Sequence, residues 1–241
     1  MLIFDFQSIQ KVDYTNHIVI SGDFIAYTSL STDEKKTLEQ QLLQLFQQLE
    51  TKYNTFARLM KGDYLECVVP DPENGLAVAL AIKTFIKSLE IEEKVENNRT
   101  RVFQTYSIRL AMGLGRLDRF NREENIIDGD AIYRSGRAIS SESTHNKERM
   151  VIKNTLFFSS INEELNLNID AIISLLDHLL ARATSRQSEV LFLKIMGNSE
   201  KVIAKKLGVS QSSINQHSTA SGWNGMDKAI KYFNHTLSKI S

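Results

Sequence analysis

The stretch EKVIAKKLGVSQSSINQHST, Glu200–Thr219, restricts this chain more than any other, because its small and apolar residues fall where two short helices must cross closely. Two helices meeting at about 90–120° across a turn of three or four residues need a small side chain at the crossing, often a turn glycine, and apolar residues pointing inward. Ala204, Gly208 and Ile214 supply that set, and Ile203, Leu207 and Val209 extend the inward face. Ser210 is placed to cap the second helix, its hydroxyl accepting from the first free amides. That helix then carries Gln211, Ser212, Ser213, Asn215 and Gln216, a crowd of short polar side chains with no use in packing.

The pattern resembles the helix-turn-helix of bacterial transcription regulators, with one departure at His217, where such motifs usually bury an aliphatic residue. An ordinary helical hairpin would also use Ala and Gly at a close crossing, but it leaves the polar face unexplained. Asn and Gln pair bidentately with adenine, and Ser meets several base edges, so Gln211, Ser212, Ser213, Asn215 and Gln216 are the expected base-contacting set. Lys201, Lys205 and Lys206 on the first helix are the expected phosphate contacts, which add affinity without sequence information. DNA is therefore the expected partner.

Charge divides the chain. Residues 182–241 carry nine Lys/Arg and three Asp/Glu, so of the 29 of each sign in the whole chain, residues 1–181 hold 20 against 26. A basic tail on an acidic body is expected if only the tail meets nucleic acid. The 241 residues suffice for one long or two ordinary domains. Cys67 is the single cysteine, which excludes an internal disulfide framework and points to a reducing compartment. The N-terminus lacks a basic segment followed by an apolar run, and no window reaches the ~18 apolar residues of a membrane span. A cytoplasmic protein with no membrane partner is expected.

In the first half, His17–Ile20 reads as a strand ending at Ser21-Gly22-Asp23, and Thr32 to Tyr53 as an amphipathic helix. Phe56–Met60 and Tyr64–Val69 are apolar runs around Lys61-Gly62-Asp63, a hairpin signal, closed by Pro70 and Pro72. Gly75–Leu89 is apolar at helical spacing, and Ser107–Leu114 alternates like a strand punctuated by Gly113 and Gly115. The order β-α-β-β-α-β predicts a ferredoxin-like sheet covered on one face by two helices. A polar loop over 116–125, a helix over Asp130–Ile139 and a strand near Met150–Lys153 follow, and the hydrophilic stretches 91–101 and 140–149 read as loops. Ile169–Ala183 is an apolar helical connector before a helix over Gln187–Met196, and its segment Ile169–Leu180 could equally form the seam of a homodimer.

Two Gly-Asp dipeptides, Gly22-Asp23 and Gly62-Asp63, occupy positions that such a sheet makes neighbours. Two carboxylates at strand ends can hold divalent metal ions that bridge a nucleoside triphosphate, while aspartates beside glycine also simply satisfy turn amides. Both readings stay open on the residues alone. The segments SGDFIAYT (21–28), KGD (61–63), IRLAMGLG (108–115) and GDAIYRSGR (129–137) resemble, in order, motifs of class III nucleotide cyclases, and of the related SatD-like proteins, over roughly residues 17–155. The resemblance implies Mg2+ or Mn2+ at Asp23 and Asp63, a nucleotide ligand near Lys61, Arg58 and Tyr133, a transition-state role for Arg137, and a dimer. It also departs from the family: the asparagine position falls on Tyr133, and the base-selecting position on Leu59, which cannot hydrogen-bond a purine edge.

The sequence thus predicts an α+β, ferredoxin-like βαββαβ, cyclase-like domain over 1–160, followed by an all-α helical connector and helix-turn-helix domain over 161–241. Its expected function is a DNA-binding transcriptional regulator whose first domain senses a ligand or dimerises. The competing function is a metal-dependent nucleotide cyclase or related phosphoryl-transfer enzyme. A nucleophile motif, a phosphate-binding loop of the Walker type and a histidine cluster with ligand spacing are all missing from the sequence.

Overall fold

The computed structural model describes residues 15–60, 62–89, 98–142, 152 and 154–240. The described chain runs β1 (His17–Phe24), α1 (Thr32–Tyr53), β2 (Phe56–Met60), β3 (Tyr64–Val69), α2 (Gly75–Ser88), α3 (Asn98–Tyr106), β4 (Ile108–Gly115), β5 (Arg119–Asn121), β6 (Ile126–Asp128), α4 (Asp130–Glu142), β7 (Leu156–Ser159), α5 (Glu163–Arg182), α6 (Ser185–Ile195), α7 (Glu200–Leu207), α8 (Gln211–Ala220) and α9 (Trp223–Leu237). It is an α+β architecture: a five-stranded sheet in the order β2-β3-β1-β4-β7, with β4 and β7 parallel and the other pairs antiparallel. From Glu163 to Leu237 the regular elements are all helices.

Local chemistry explains where elements begin and end. Ser31 accepts from the Glu34 amide while the Glu34 carboxylate accepts from the Ser31 amide, a reciprocal cap that starts α1, and Asn54 ends it at φ 52. The β2–β3 turn contains Gly62 at φ 85, a conformation that costs glycine little. Alternation along β1 then sends its side chains to two different layers. Ile18, Ile20 and Phe24, with Leu65, Cys67, Leu110 and Met112, face α1 and α2, whereas Val19 and Val68 cluster with Ile127 of β6 and Ala131 of α4. A Cβ on Gly113 would lie 2.1 Å from the Ala131 carbonyl oxygen, so this glycine lets α4 rest on the sheet.

Five features correct the sequence reading. β1 does not end at Ser21 but runs to Phe24, because Gly22 and Asp23 pair with β3 on one side and β4 on the other. Gly113 lies within β4 and does not punctuate it, whereas Gly115 is its last residue, and both glycines admit α4. Residues 98–106, partly read as loop, form α3, and the polar segment 116–125 contributes to a two-stranded ribbon, β5–β6, anchored by the Phe56–Phe120 edge contact with ring centroids 5.7 Å apart. The last strand of the sheet is Leu156–Ser159, whose Leu156 and Phe158 side chains reach the core. Most of the strand expected near Met150–Lys153, and of the loop expected over 140–149, lies outside the described residues, which omit 143–151 and 153.

One apolar cluster crosses residue 160. It joins β1, β3, β4, α1 and α2 to Ile169, Ile173, Val190, Phe192, Ile203, Ile214 and Phe233. α2 is buried almost all round because the sheet covers one side and α6 the other, with Phe85 and Phe192 rings 5.1 Å apart.

Within that core sits a buried charge pair. Lys83 Nζ donates to the carbonyls of Tyr106 (3.1 Å) and Ile108 (2.9 Å) and to Thr155 Oγ1 (2.6 Å), and it lies 3.7 Å from Asp177 Oδ1. Thr155 in turn donates through Oγ1 to Asp177 Oδ1 at 2.6 Å and through its amide to Asp177 Oδ2. Lys87, one helical turn on, donates to the carbonyls of Gln104, Thr105 and Ala181. Removing one partner of such a pair strands the other charge, at a cost of about 3–5 kcal/mol, whereas replacing both by apolar groups is far milder. Asp177→Ala is therefore expected to lose about that much in urea unfolding, and Lys83→Met with Asp177→Leu together to lose clearly less than Asp177→Ala alone. Burial holds both lysines below the free value of 10.5, Lys83 at about 8 and Lys87 at about 8. Between pH 8 and 10 the unfolded chain thus binds more protons than the folded one, so stability rises with pH across that window. Urea midpoints at about pH 7.5, 8.5 and 9.5 check this, and Lys87→Met should flatten the rise.

Candidate functional site

Residues 199–221 form a short, well-capped pair of helices. Ser199 accepts from the Val202 amide at the start of α7, and Ser210 accepts from the Ser213 amide at the start of α8. Between them Gly208 adopts φ 66, and the amides of Gly208 and Val209 both donate to the Ala204 carbonyl, which closes α7. Ile203, Ala204 and Ile214 are buried, as their spacing predicts, and Leu207 is half-buried. Val209 is not part of the inward face: it is 39% exposed, because it follows the left-handed Gly208 and lies in the turn itself.

The polar side chains divide into two groups. Lys201, Lys205 and Lys206 on α7 and Gln211, Ser212, Asn215 and Gln216 on α8 are exposed, and Ser213 is half-buried, its hydroxyl 2.9 Å from that of Ser210. Glu200, which sequence reasoning passes over, is the anion on this surface. Lys194 Nζ donates to Glu200 Oε1 at 2.8 Å, and the side chains of Asn215 and Gln211 lie near enough to help lower the pKa of this carboxylate. These neighbours, Lys194 first among them, hold the Glu200 pKa below its usual value. The Lys194 ammonium also sits over the Trp223 ring, 5.2 Å from its centroid. Gln211 and Asn215, one turn apart, thus line the side of α8 toward α7. A glutamate at the first turn of a helix is also favoured by the helix dipole. Its pairing with Lys194 of the preceding helix follows no helical periodicity, so nothing in the spacing reveals it.

The second cluster lies at one end of the sheet, on the face toward α4. Strand register sets two rungs side by side: Arg58, Glu66, Ser21 and Ala111 in one, Met60, Tyr64, Asp23 and Arg109 in the next. Arg58 donates to Glu66 Oε2 through Nε (2.8 Å) and Nη2 (2.6 Å) and to the Asn125 carbonyl through Nη1. Arg109 Nη1 donates to Asp23 Oδ2 at 3.0 Å, and Ser21 Oγ meets Ser135 Oγ of α4 at 2.8 Å. Burial raises the Tyr64 pKa, with Glu66 and Asp23 adding to it and a hydrogen bond with Ser21 opposing it.

The two aspartates are brought together at the backbone, where the Phe24 amide donates to the Asp63 carbonyl at 3.1 Å. Their side chains differ: Asp63 is exposed, whereas Asp23 is engaged by Arg109. A divalent ion on Asp23 would have to compete with that guanidinium, and among the described residues no group of three or more His, Cys, Asp or Glu is placed to hold a metal. The residues as arranged do not fit a divalent ion without separating Asp23 from Arg109. Leu59 faces the opposite layer, opposite Leu65 and against the α1–α2 core. Tyr133 is exposed, its hydroxyl donating to Asp128 Oδ1 at 2.7 Å, which raises its pKa, and Arg137 is exposed on α4. Lys61 lies outside the described residues. Arg109 and Glu66 are the members that sequence reasoning missed; each was visible as a lone charge inside an apolar strand run.

A comparison with protein-family models finds no match, and neither does one with curated protein sequences. Among solved structures, two bacterial light-regulated adenylyl cyclases align with 60% of this chain, at 16% and 15% identity and a TM-score of 0.40 each. The chain covers 43% of the first of those and 75% of the second. No helix among the described residues is long and apolar enough to cross a membrane.

The Glu200 arrangement is directly testable. Glu200→Ala should leave α7 and α8 folded while shifting the side-chain amide resonances of both Gln211 and Asn215 in a 1H–15N spectrum. The same two resonances should move in the wild type as pH falls through the depressed Glu200 pKa, since protonation removes the acceptor charge. Resonances indifferent to both changes would show that the carboxylate does not lie beside them.

Proposed function

We propose that this chain binds DNA through α7 and α8 and acts as a transcriptional regulator, with its sheet-bearing part sensing a ligand, a nucleotide being the first to try. The observation that carries this reading is the surface at 200–219. A short helix capped by Ser210 presents Gln211, Ser212, Asn215 and Gln216 to solvent, and three exposed lysines lie on the preceding helix. Exposed amide side chains on such a helix can pair with base edges. The lysines would supply the phosphate contacts. The excess of Lys and Arg over Asp and Glu in residues 182–241 agrees with such a partner.

A second reading, phosphoryl transfer by the sheet-bearing part, draws on the adjacency of Asp23 and Asp63 at the Phe24–Asp63 backbone bond. The Asp23–Arg109 pair and the Leu59 orientation weigh against it. Incubation with ATP, GTP, CTP and UTP plus Mn2+ separates the readings: a cyclic product lost in Asp63→Asn would replace the DNA reading as the main one.

Selection of bound sequences from a random duplex pool, followed by affinity measurements over a salt series, tests DNA binding. Gln216→Ala is expected to cost about 1–3 kcal/mol on the selected site and little on unrelated DNA. Lys205→Ala should weaken binding to all sequences alike and reduce the slope of log K against log salt by about one. Absence of binding at low salt, where phosphate attraction is strongest, would sink the reading.

A further inference from the structure

The face of α5 that turns away from the core is apolar along its middle and charged at its ends. Leu165, Ile169, Ile173, Leu176, Asp177 and Leu180 point inward, while Leu167 is 75%, Leu175 71% and Leu179 39% exposed. At about 100° per residue, Glu164, Leu167, Asn168, Ala171, Leu175, His178, Leu179 and Arg182 form one stripe, all exposed in this chain. Exposed leucines on one continuous stripe mark a contact surface, not scattered surface apolarity.

The order along the stripe says what covers it. Reversed end for end, it matches itself: Glu164 comes level with Arg182, Leu167 with Leu179, Asn168 with His178, and Ala171 with Leu175. Every pair is centred on position 173, so a single two-fold axis satisfies all of them at once. The acidic first turn, Glu163 and Glu164, then lies against the partner's basic last turn, and the two helix dipoles run antiparallel. Alanine beside leucine at the centre allows the helices to approach closely there.

We infer that α5 is the interface to a second copy of this chain, packed antiparallel about a two-fold axis at the level of Ile173, with Leu167, Leu175 and Leu179 forming its apolar centre and Glu164–Arg182 pairs closing both ends. This interface is isologous, as closed dimers require. It moves the homodimer seam expected over Ile169–Leu180 to the outward face of the same helix, because Ile169, Ile173, Leu176 and Leu180 are buried in their own chain, and it stands without the DNA reading, since no residue of α7 or α8 takes part.

Sedimentation velocity of the full chain across the micromolar range, without DNA, tests it. The wild type is expected to dimerise. Leu175→Asp, which places a charge at the centre of the seam twice per dimer, should leave a monomer with an unchanged circular-dichroism spectrum. Glu164→Arg and Arg182→Glu should each weaken the dimer about tenfold, since each sets like charges opposite one another at both ends. The two reversals combined restore opposite charges and should recover nearly wild-type association. These surface changes decide the matter alone if Leu175→Asp does not fold. A wild type that stays monomeric, a dimer indifferent to Leu175→Asp, or a double reversal no better than the singles would overturn the inference. A monomer whose stripe is covered by residues 1–14 of its own chain is one such overturning result.

Discussion

Lys83 and Asp177, with Thr155 between them, form the contact on which the rest of the arrangement turns. Lys83 comes from α2, its carbonyl acceptors from the entry to β4, Thr155 from the residue just before β7, and Asp177 from α5. The Thr155 carbonyl also accepts from the Leu110 amide at 2.8 Å, so the same residue helps register β7 on β4. A lone charge in that core would be intolerable, and the geometry that neutralises it brings the helical part of the chain against the sheet. α5 is thereby held with one face inward and the opposite face, with its leucines, outward.

That docking explains why the basic helical part is not an appendage on a tether. α6 packs along α2, Lys52 and Tyr53 at the end of α1 donate to the Ile195 carbonyl at 3.0 and 3.2 Å, and Phe233 of α9 meets Phe158 of β7 edge-on at 5.9 Å. A change at the sheet has a packed route to α7 and α8 through α6, whose Lys194 grips Glu200. Contiguity of this kind supplies a means of coupling; coupling itself requires an element with two arrangements that both sites bias.

Much of the architecture was legible along the chain. α1, β2 and β3 fall where their periodicity and turn residues put them, because capping by Ser31, the Gly62 turn and period-two alternation are local effects. The Ser210 cap of α8 was legible for the same reason. What misled was local as well: charge and polarity made 98–101 and 116–125 read as loop, although tertiary contacts hold α3 and the β5–β6 ribbon there. Gly113 and Gly115 read as punctuation, yet their small size serves the approach of α4, a partner beyond the β5–β6 ribbon that no local pattern announces.

The amino-acid order by itself determined α1, β2 and β3, the polar face of α8 and the segregation of charge, all of which follow from local spacing and composition. Only the tertiary structure decided the partners of isolated charges. Arg109 and Asp23 meet because β1 and β4 pair in one register, Glu200 meets Lys194 because α7 packs against the end of α6, and Lys83 finds Asp177 from a distant part of the chain. Such pairings depend on desolvation and on distance in space, and neither quantity is written in the order of residues.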